Sequence, residues 1–406
     1  LGARSPVIAS VLEQHADEVS MLFELREHVA DARDLTLGTL AEIDSRVDAH
    51  LDGLRIAGKE GLQRLAPGIA AADPGSIFAV AELSFEAADA DHLKLALDSA
   101  RAQETAVLAV ISALAWAPRD IAGSTASELL QSPEPVAQRV AIGGAIAHAF
   151  DPGERLDESL RSGDAGLLAE ALRAVGELPR LDLLSAVRSA LEHPDPACAF
   201  AAARSAALLG DHSGCGVLRR LVADGAKNSW QAARILPHAL GASELRAFLR
   251  ELAERPETRR AALQLGAALG DTELVPWMIE LLADEDLRLA AGDALVDVLG
   301  IDPVALRLTV EEREPPAEGP DAGLPTLDGP SVEAFWAQEG AQWPHGVRHL
   351  LGREIAVSSL RAWLRSAKQR HRGIAALELA LQEPGSGMFD VRLRGDRQLA
   401  ALGGVG

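Results

Sequence analysis

Three sets of residues have types and spacings that could do chemistry. His345 and His349 stand four apart, so a single helix could aim both imidazoles at a metal ion. No carboxylate or cysteine follows at an obvious third-ligand spacing, and Pro344 reads as a helix start. Asp211-His212 with Cys215 could be half of a zinc site, but it falls where a turn is due and lacks a second half. Glu24 and His28, also four apart, read as a surface pair or a cap contact. There is no Gly-x-x-x-x-Gly-Lys-[Ser/Thr] phosphate loop and no Gly-x-Ser-x-Gly elbow. No catalytic, cofactor-binding or metal-binding residue is assigned on this pattern, and neither an enzyme nor a cofactor is expected.

The elements that would position any site repeat along the chain. Ser132-Pro133-Glu134, Ser162-Gly163-Asp164 and His193-Pro194-Asp195 each open an apolar run. Lys227-Asn228-Ser229, Arg255-Pro256-Glu257 and Asp284-Glu285-Asp286 open three more, at steps of roughly thirty residues. Within Arg180–Asp211, Leu181, Leu184, Val187 and Leu191 recur at helical spacing before His193-Pro194-Asp195-Pro196 breaks the run. A second helix follows from Ala197 to Leu209, almost wholly small and apolar, and Gly210 ends it. Equivalent second helices read at Arg139–Ala147, Leu167–Gly176, Ala232–Leu240, Arg260–Gly270 and Leu287–Leu295. One such hairpin cannot bury its own apolar stripe, so stacked neighbours must cover it.

Proline-marked turns, alanine-rich second helices and this period resemble HEAT repeats, in particular the short bacterial type first described in bilin lyases. The expected fold is therefore all-α: a right-handed, HEAT-like α-α superhelix, or solenoid, with helical caps at both ends. HEAT-type hydroxylases bind iron with repeated His-Glu dipeptides, and no histidine here precedes a glutamate. A second resemblance rests on the two ends. His50-Leu51-Asp52-Gly53-Leu54-Arg55 through Gly58, Gln369-Arg370-His371-Arg372-Gly373 through Leu381, Phe389 and Arg397-Gln398 are similar to a bacterial HEAT-repeat family of type VI secretion gene clusters. That resemblance implies an accessory role in handling an effector or secretion component, and it brings no catalytic residues.

Composition narrows the partners. The net charge of −21 argues against nucleic acid, which needs a basic footprint, and against the basic face of HEAT-type DNA glycosylases. No apolar stretch reaches the length of a membrane span, so no membrane insertion is expected. Two cysteines, Cys198 and Cys215, make no disulfide framework. With no signal-peptide pattern at the start, a cytoplasmic location is the expectation.

The chain divides on this reading into an N-terminal helical cap (1–57), an array of about eight helical hairpins (58–300), a Pro/Glu-rich linker or loop (301–330) and a basic helical C-terminal cap (331–406). In the cap, helices are expected at 5–30, with Val7, Val11, Leu12, Val19, Leu22, Phe23 and Leu25 on the inner face, and at Leu37–Ala57. The glutamates and prolines of 311–328 predict a mobile or poorly packed segment. Phe335, Trp336 and Trp343 read as a cluster. Each alanine-rich second helix carries one arginine: Arg139, Arg173, Arg204, Arg234, Arg260 and Arg288. These six are the candidate partner-binding groove, as a basic stripe in an acidic body. The competing expectation is a structural ladder in which each pairs with an acid such as Glu170 or Asp293 of the next unit. The function expected is a non-catalytic scaffold or adaptor for another protein. The alternatives are a bilin-lyase-like or other HEAT-repeat enzyme with an unrecognised site, or an immunity protein that masks a toxin.

Overall fold

A computed structural model describes residues 8–30, 32–310, 319 and 321–403. Among these the regular structure is helical, save for a hairpin of two short antiparallel strands and two isolated bridges. None of the helices is long and apolar enough to cross a membrane. The helices form two compact units. One runs up to Leu209 and takes in the chain from Ala362 onward; the other spans Gly210–Arg361.

The first unit begins with α1 (Ala9–Ala30), α2 (Leu37–Ala57), α3 (Lys59–Ala70), α4 (Pro74–Ala87), α5 (Ala90–Ala102) and α6 (Glu104–Trp116). It continues with α7 (Arg119–Leu129), α8 (Pro135–Ala147), α9 (Glu154–Ser159), α10 (Ala165–Glu177), α11 (Leu184–Ser189) and α12 (Pro196–Leu208). The even-numbered helices pack in succession, α4 on α6, α6 on α8, α8 on α10 and α10 on α12. The small side chains allow it: all of Gly75–Phe85 in α4 and nine of the thirteen residues of Pro196–Leu208 in α12 are buried. Helix starts are set locally. Asp73, Asp89, Asp164 and Asp195 each cap a helix by accepting from backbone N–H groups of its first turn. In α1 the inner face differs from expectation. Leu12, Val19, Leu22 and Phe23 are buried, but Val11 and Leu25 are exposed, and Val7 lies outside the described residues. Arg26 is buried on that face instead, because Asp44 of α2 meets its Nε at 2.9 Å.

The second unit holds α13 (Cys215–Ala223), α14 (Ser229–Ala239), α15 (Ala242–Glu254), α16 (Arg259–Leu269), α17 (Val275–Glu280), α18 (Arg288–Leu299) and α19 (Gly329–Glu339). Here too α14 packs on α16 and α16 on α18. The strands β1 (His349–Leu350) and β2 (Arg353–Glu354) close the unit, with His349 opposite Glu354. Trp336 stacks on Trp343 at 6.0 Å between centroids and Phe335 tilts against the same ring, the aromatic cluster read from sequence.

The compact units cut across one expected boundary. The segment 331–406 is not one cap: it divides at Arg361, within α20 (Val357–Ser366). Its later part, with α21 (Gln369–Gln382) and α22 (Gly395–Ala401), belongs to the first unit. Part of 301–330, expected as a linker or loop, packs. Ile301, Leu308, Leu324 and Leu327 enter the core of the second unit, and Thr309 bridges Leu327. Of the segment expected to be mobile, 311–318 and 320 lie outside the described residues, whereas 324, 326 and 327 are buried.

The tail joins the first unit through polar contacts. Gly395 N–H donates to Asp44 at 2.7 Å, Arg394 meets Asp48 at 2.5 Å, and Gln369 N–H donates to Leu35 O at 2.8 Å. Arg397 donates to the carbonyls of Ala115, Trp116 and Ala117 at 2.7–2.8 Å, satisfying the open C-terminal end of α6. Arg372 is fully buried and donates to Leu364 O, Gln369 and Gln398. Burial without a carboxylate in that set pulls its guanidinium down to about 10, still charged at neutral pH. Gln369, Arg372, Arg397 and Gln398 of the C-terminal segment thus have structural work: they hold the tail together and fasten it to Leu35 and to the end of α6.

Candidate functional site

The first unit contains a cleft of about 600 Å³ built from three stretches of chain. The end of α8 supplies Ile146, Ala149, Phe150 and Asp151, and the end of α10 supplies Glu177–Arg180. From the tail come Ala376, Leu379, Ala380 and Glu383 of α21 and its C-terminus, and then Ser386–Asp390. Both helix ends turn sharply. Ala149 adopts φ 51°, and Phe150 N–H returns to Ala145 O at 2.8 Å. Gly385 and Gly387, with φ near +80°, bend the tail loop back, and Gly385 N–H donates to Leu208 O at 3.0 Å. Gly387 lies so close that a Cβ there would stand 3.3 Å from Glu177 O.

Glu177 is the charged centre of one wall. Arg173 Nη1 meets one of its oxygens at 3.0 Å and Arg204 Nη1 the other at 2.8 Å. Arg204 also directs Nη2 at Met388 Sδ, 2.9 Å away. Burial alone would raise the Glu177 carboxyl, but the two guanidiniums prevail and hold it below its ordinary value. Asp390 goes the other way. Burial raises it, helped by the negative charge of Glu177, against the Arg392 amide and the positive charges of Arg173 and Arg392, which favour the ionised form. At the rim Arg180 is held by Asp151 at 2.7 Å and Asp182 at 2.6 Å. Phe150, Phe389, Leu379, Pro179 and Met388 make the remaining surface largely apolar. A site of this kind can hold a side chain that is apolar along its length and charged at its tip.

The six expected groove arginines are all committed to carboxylates of their own unit. Arg139 pairs with Glu104 at 2.7 Å, Arg173 with Glu170 and Glu177, and Arg204 with Glu177. Arg234 pairs with Asp297 in a fully buried ion pair, Arg260 with Asp321 at 2.7 Å, and Arg288 with Glu285 at 2.7 Å. The partners differ from the regular ladder expected. Glu170 pairs with Arg173 of its own helix and also acts on Arg139 of the preceding repeat, Asp293 acts on Arg260, and Arg234 meets Asp297. Only Arg173 and Arg204 adjoin the cleft, as the cations that neutralise Glu177.

The metal candidates are not brought together. His345 and His349 do not share a helix: His345 Nδ1 lies 3.1 Å from Thr272 Oγ1 in a turn, and His349 is buried in β1. Asp211 accepts from Ser213 N–H at 3.0 Å, and Cys215 begins α13 with Sγ 3.3 Å from Ala239 O. Glu24 and His28 are exposed on α1. Among the described residues no group of three or more His, Cys, Asp or Glu is placed to hold a metal. Both cysteines are free, and burial pushes the Cys198 thiol up to about 11.

Sequence reasoning missed Glu177, Glu383 and Asp390. Of the cleft lining it had singled out Phe389 and the stretch of α21 from Ala376 to Ala380. Compared with protein-family models and with curated proteins, the chain matches none.

Proposed function

We propose that the chain is a protein-binding scaffold, a HEAT-like α-α superhelix whose first unit docks a partner at the cleft. The observation that supports this reading is the succession α4–α6–α8–α10–α12, each helix packed on the next but one in sequence. Such stacking gives each hairpin a neighbour on both sides and suits an extended binding surface better than an enclosed reaction chamber. The likeness of the end segments to a type VI secretion family favours an effector or secretion component as the partner, met in the cytoplasm. An immunity protein masking a toxin is the same reading with a toxic partner.

One observation favours an enzyme of HEAT-repeat or bilin-lyase-like type instead. Glu177 and Asp390 are carboxyls pushed in opposite directions within one cleft, as acid–base pairs are. Against it, both oxygens of Glu177 already face guanidiniums, which leaves it a poor base. The test is affinity capture from the native host, followed by binding of the purified partner to the purified chain. A saturable one-to-one complex supports the scaffold. A chain that turns over a small co-purifying molecule, and binds no purified protein, contradicts it.

A further inference from the structure

Consider what the cleft leaves uncompensated. Its ionisable lining is Asp151, Glu177, Glu383, Asp390 and Arg180, and Glu383 has a contact of its own. Arg180 is held between Asp151 and Asp182, and Glu177 is matched by Arg173 and Arg204. Asp390 is different. It is half-buried, accepts one hydrogen bond from the Arg392 amide at 2.8 Å, and has no ion pair among the described residues. A carboxylate withdrawn from water with a second carboxylate nearby is costly to ionise, and a bound cation removes much of that cost. Phe150, Leu379, Met388 and Phe389 line the same space with apolar and aromatic surface, which suits an alkyl stem and the face of a guanidinium.

We propose that this cleft receives a lysine or arginine side chain of the partner protein, with its stem on the apolar lining and its cationic head at Asp390. The proposal rests on the scaffold reading and specifies what the docking site selects. Charge complementarity guides the choice: an acidic side chain would add to the carboxylates around Asp390, a neutral one would leave it with no cation nearer than Arg173 and Arg392, neither of which pairs with it, and a bare metal ion would waste the apolar surface. Burial and the charge of Glu177 raise Asp390 against the Arg392 amide and the guanidiniums of Arg173 and Arg392, which makes selection pH-dependent, because its protonated form no longer attracts the cation.

The chain has three methionines, and only Met388 lines the cleft, so methionine methyl groups report on it. The full-length protein labelled with 13C at the methionine methyls is titrated with N-acetyl-arginine amide, N-acetyl-lysine amide and N-acetyl-norleucine amide. The Met388 signal should move saturably with both cations, while those of Met21 and Met278 stay put. Norleucine, with the stem but no charge, should bind at least about tenfold more weakly, the scale of one lost charged hydrogen bond. Asp390→Asn should remove the preference for the cation. An equal response to norleucine, or no saturable Met388 movement with either cation at millimolar concentration, overturns the proposal. The wild-type comparison alone decides, so a variant that folds poorly does not cloud the result. Because no partner is needed, failure here is distinct from failure of the scaffold reading, which shows as a purified partner that does not bind.

Discussion

Arg204 in the middle of α12 and Glu177 at the end of α10 stand 2.8 Å apart, joining two successive core helices by an ion pair at the wall of the cleft. Arg173 takes the other oxygen of the same carboxylate, so one anion is shared by two guanidiniums. On the docking proposal Arg204 is expected to support the site through Glu177. Arg204→Ala should lower stability by about 2–3 kcal/mol, since it breaks a mostly buried pair. It should leave cation binding at the cleft unchanged or tighter, because a positive charge is removed nearby. Chemical denaturation and the methyl titration measure the two effects separately. A lost affinity with unchanged stability would make Arg204 part of the recognition surface after all.

Glu82 offers a pH test inside α4. It is buried, with one oxygen 3.1 Å from Arg55 and the other without a hydrogen bond. Burial, with the adjacent charge of Glu86, pushes it up to about 8 against the pull of Arg55. A carboxyl raised on folding makes the native state bind the extra proton. Stability from this group is present below its ordinary pKa of 4.5 and is lost as pH rises toward about 8. Glu82→Gln should gain on the wild type by about 1–3 kcal/mol between pH 5 and pH 8. Urea unfolding at both pH values reads the difference; parallel pH profiles would refute the assignment.

A pair of glycine substitutions tests how the tail is seated. At Gly395 an added Cβ would stand 2.6 Å from both Cα and Cβ of Ala41, so α22 would have to lift from α2. Gly395→Ala should therefore cost about 1–3 kcal/mol. Gly163 has nothing within 4 Å of an added Cβ, and Gly163→Ala should be nearly neutral. Equal midpoints in urea would mean that the tail is not packed on the N-terminal helices as described.

Local pattern carried the helices into the sequence reading and left the site out of it. α2 runs over Leu37–Ala57, as read, because Leu40, Ile43, Val47, Leu51 and Leu54 keep helical spacing and all are buried. His193-Pro194-Asp195-Pro196 marked a boundary because Asp195 caps α12 and Pro196 needs no donor at its first position. The cleft has no such signature. Its walls come from 146–151, 177–180 and 376–390, brought together by long-range contacts such as those of Gly395 and Arg397. Nothing near Asp390 in sequence tells that Glu177 lies close by. Likewise the basic character of the C-terminal cap was visible, but not that Arg394 and Arg397 serve Asp48 and the end of α6.

Hydrogen–deuterium exchange of the full chain, with and without the purified partner at saturation, tests the scaffold claim most directly. The backbone amides of 149–153 and 384–391, at the turns that line or flank the cleft, are the ones to follow. The expected result is slowed exchange in both segments on complex formation, and its loss in the Asp390→Asn chain. Protection confined to α7, α9 and α11, with both turns unchanged, would contradict docking at the cleft.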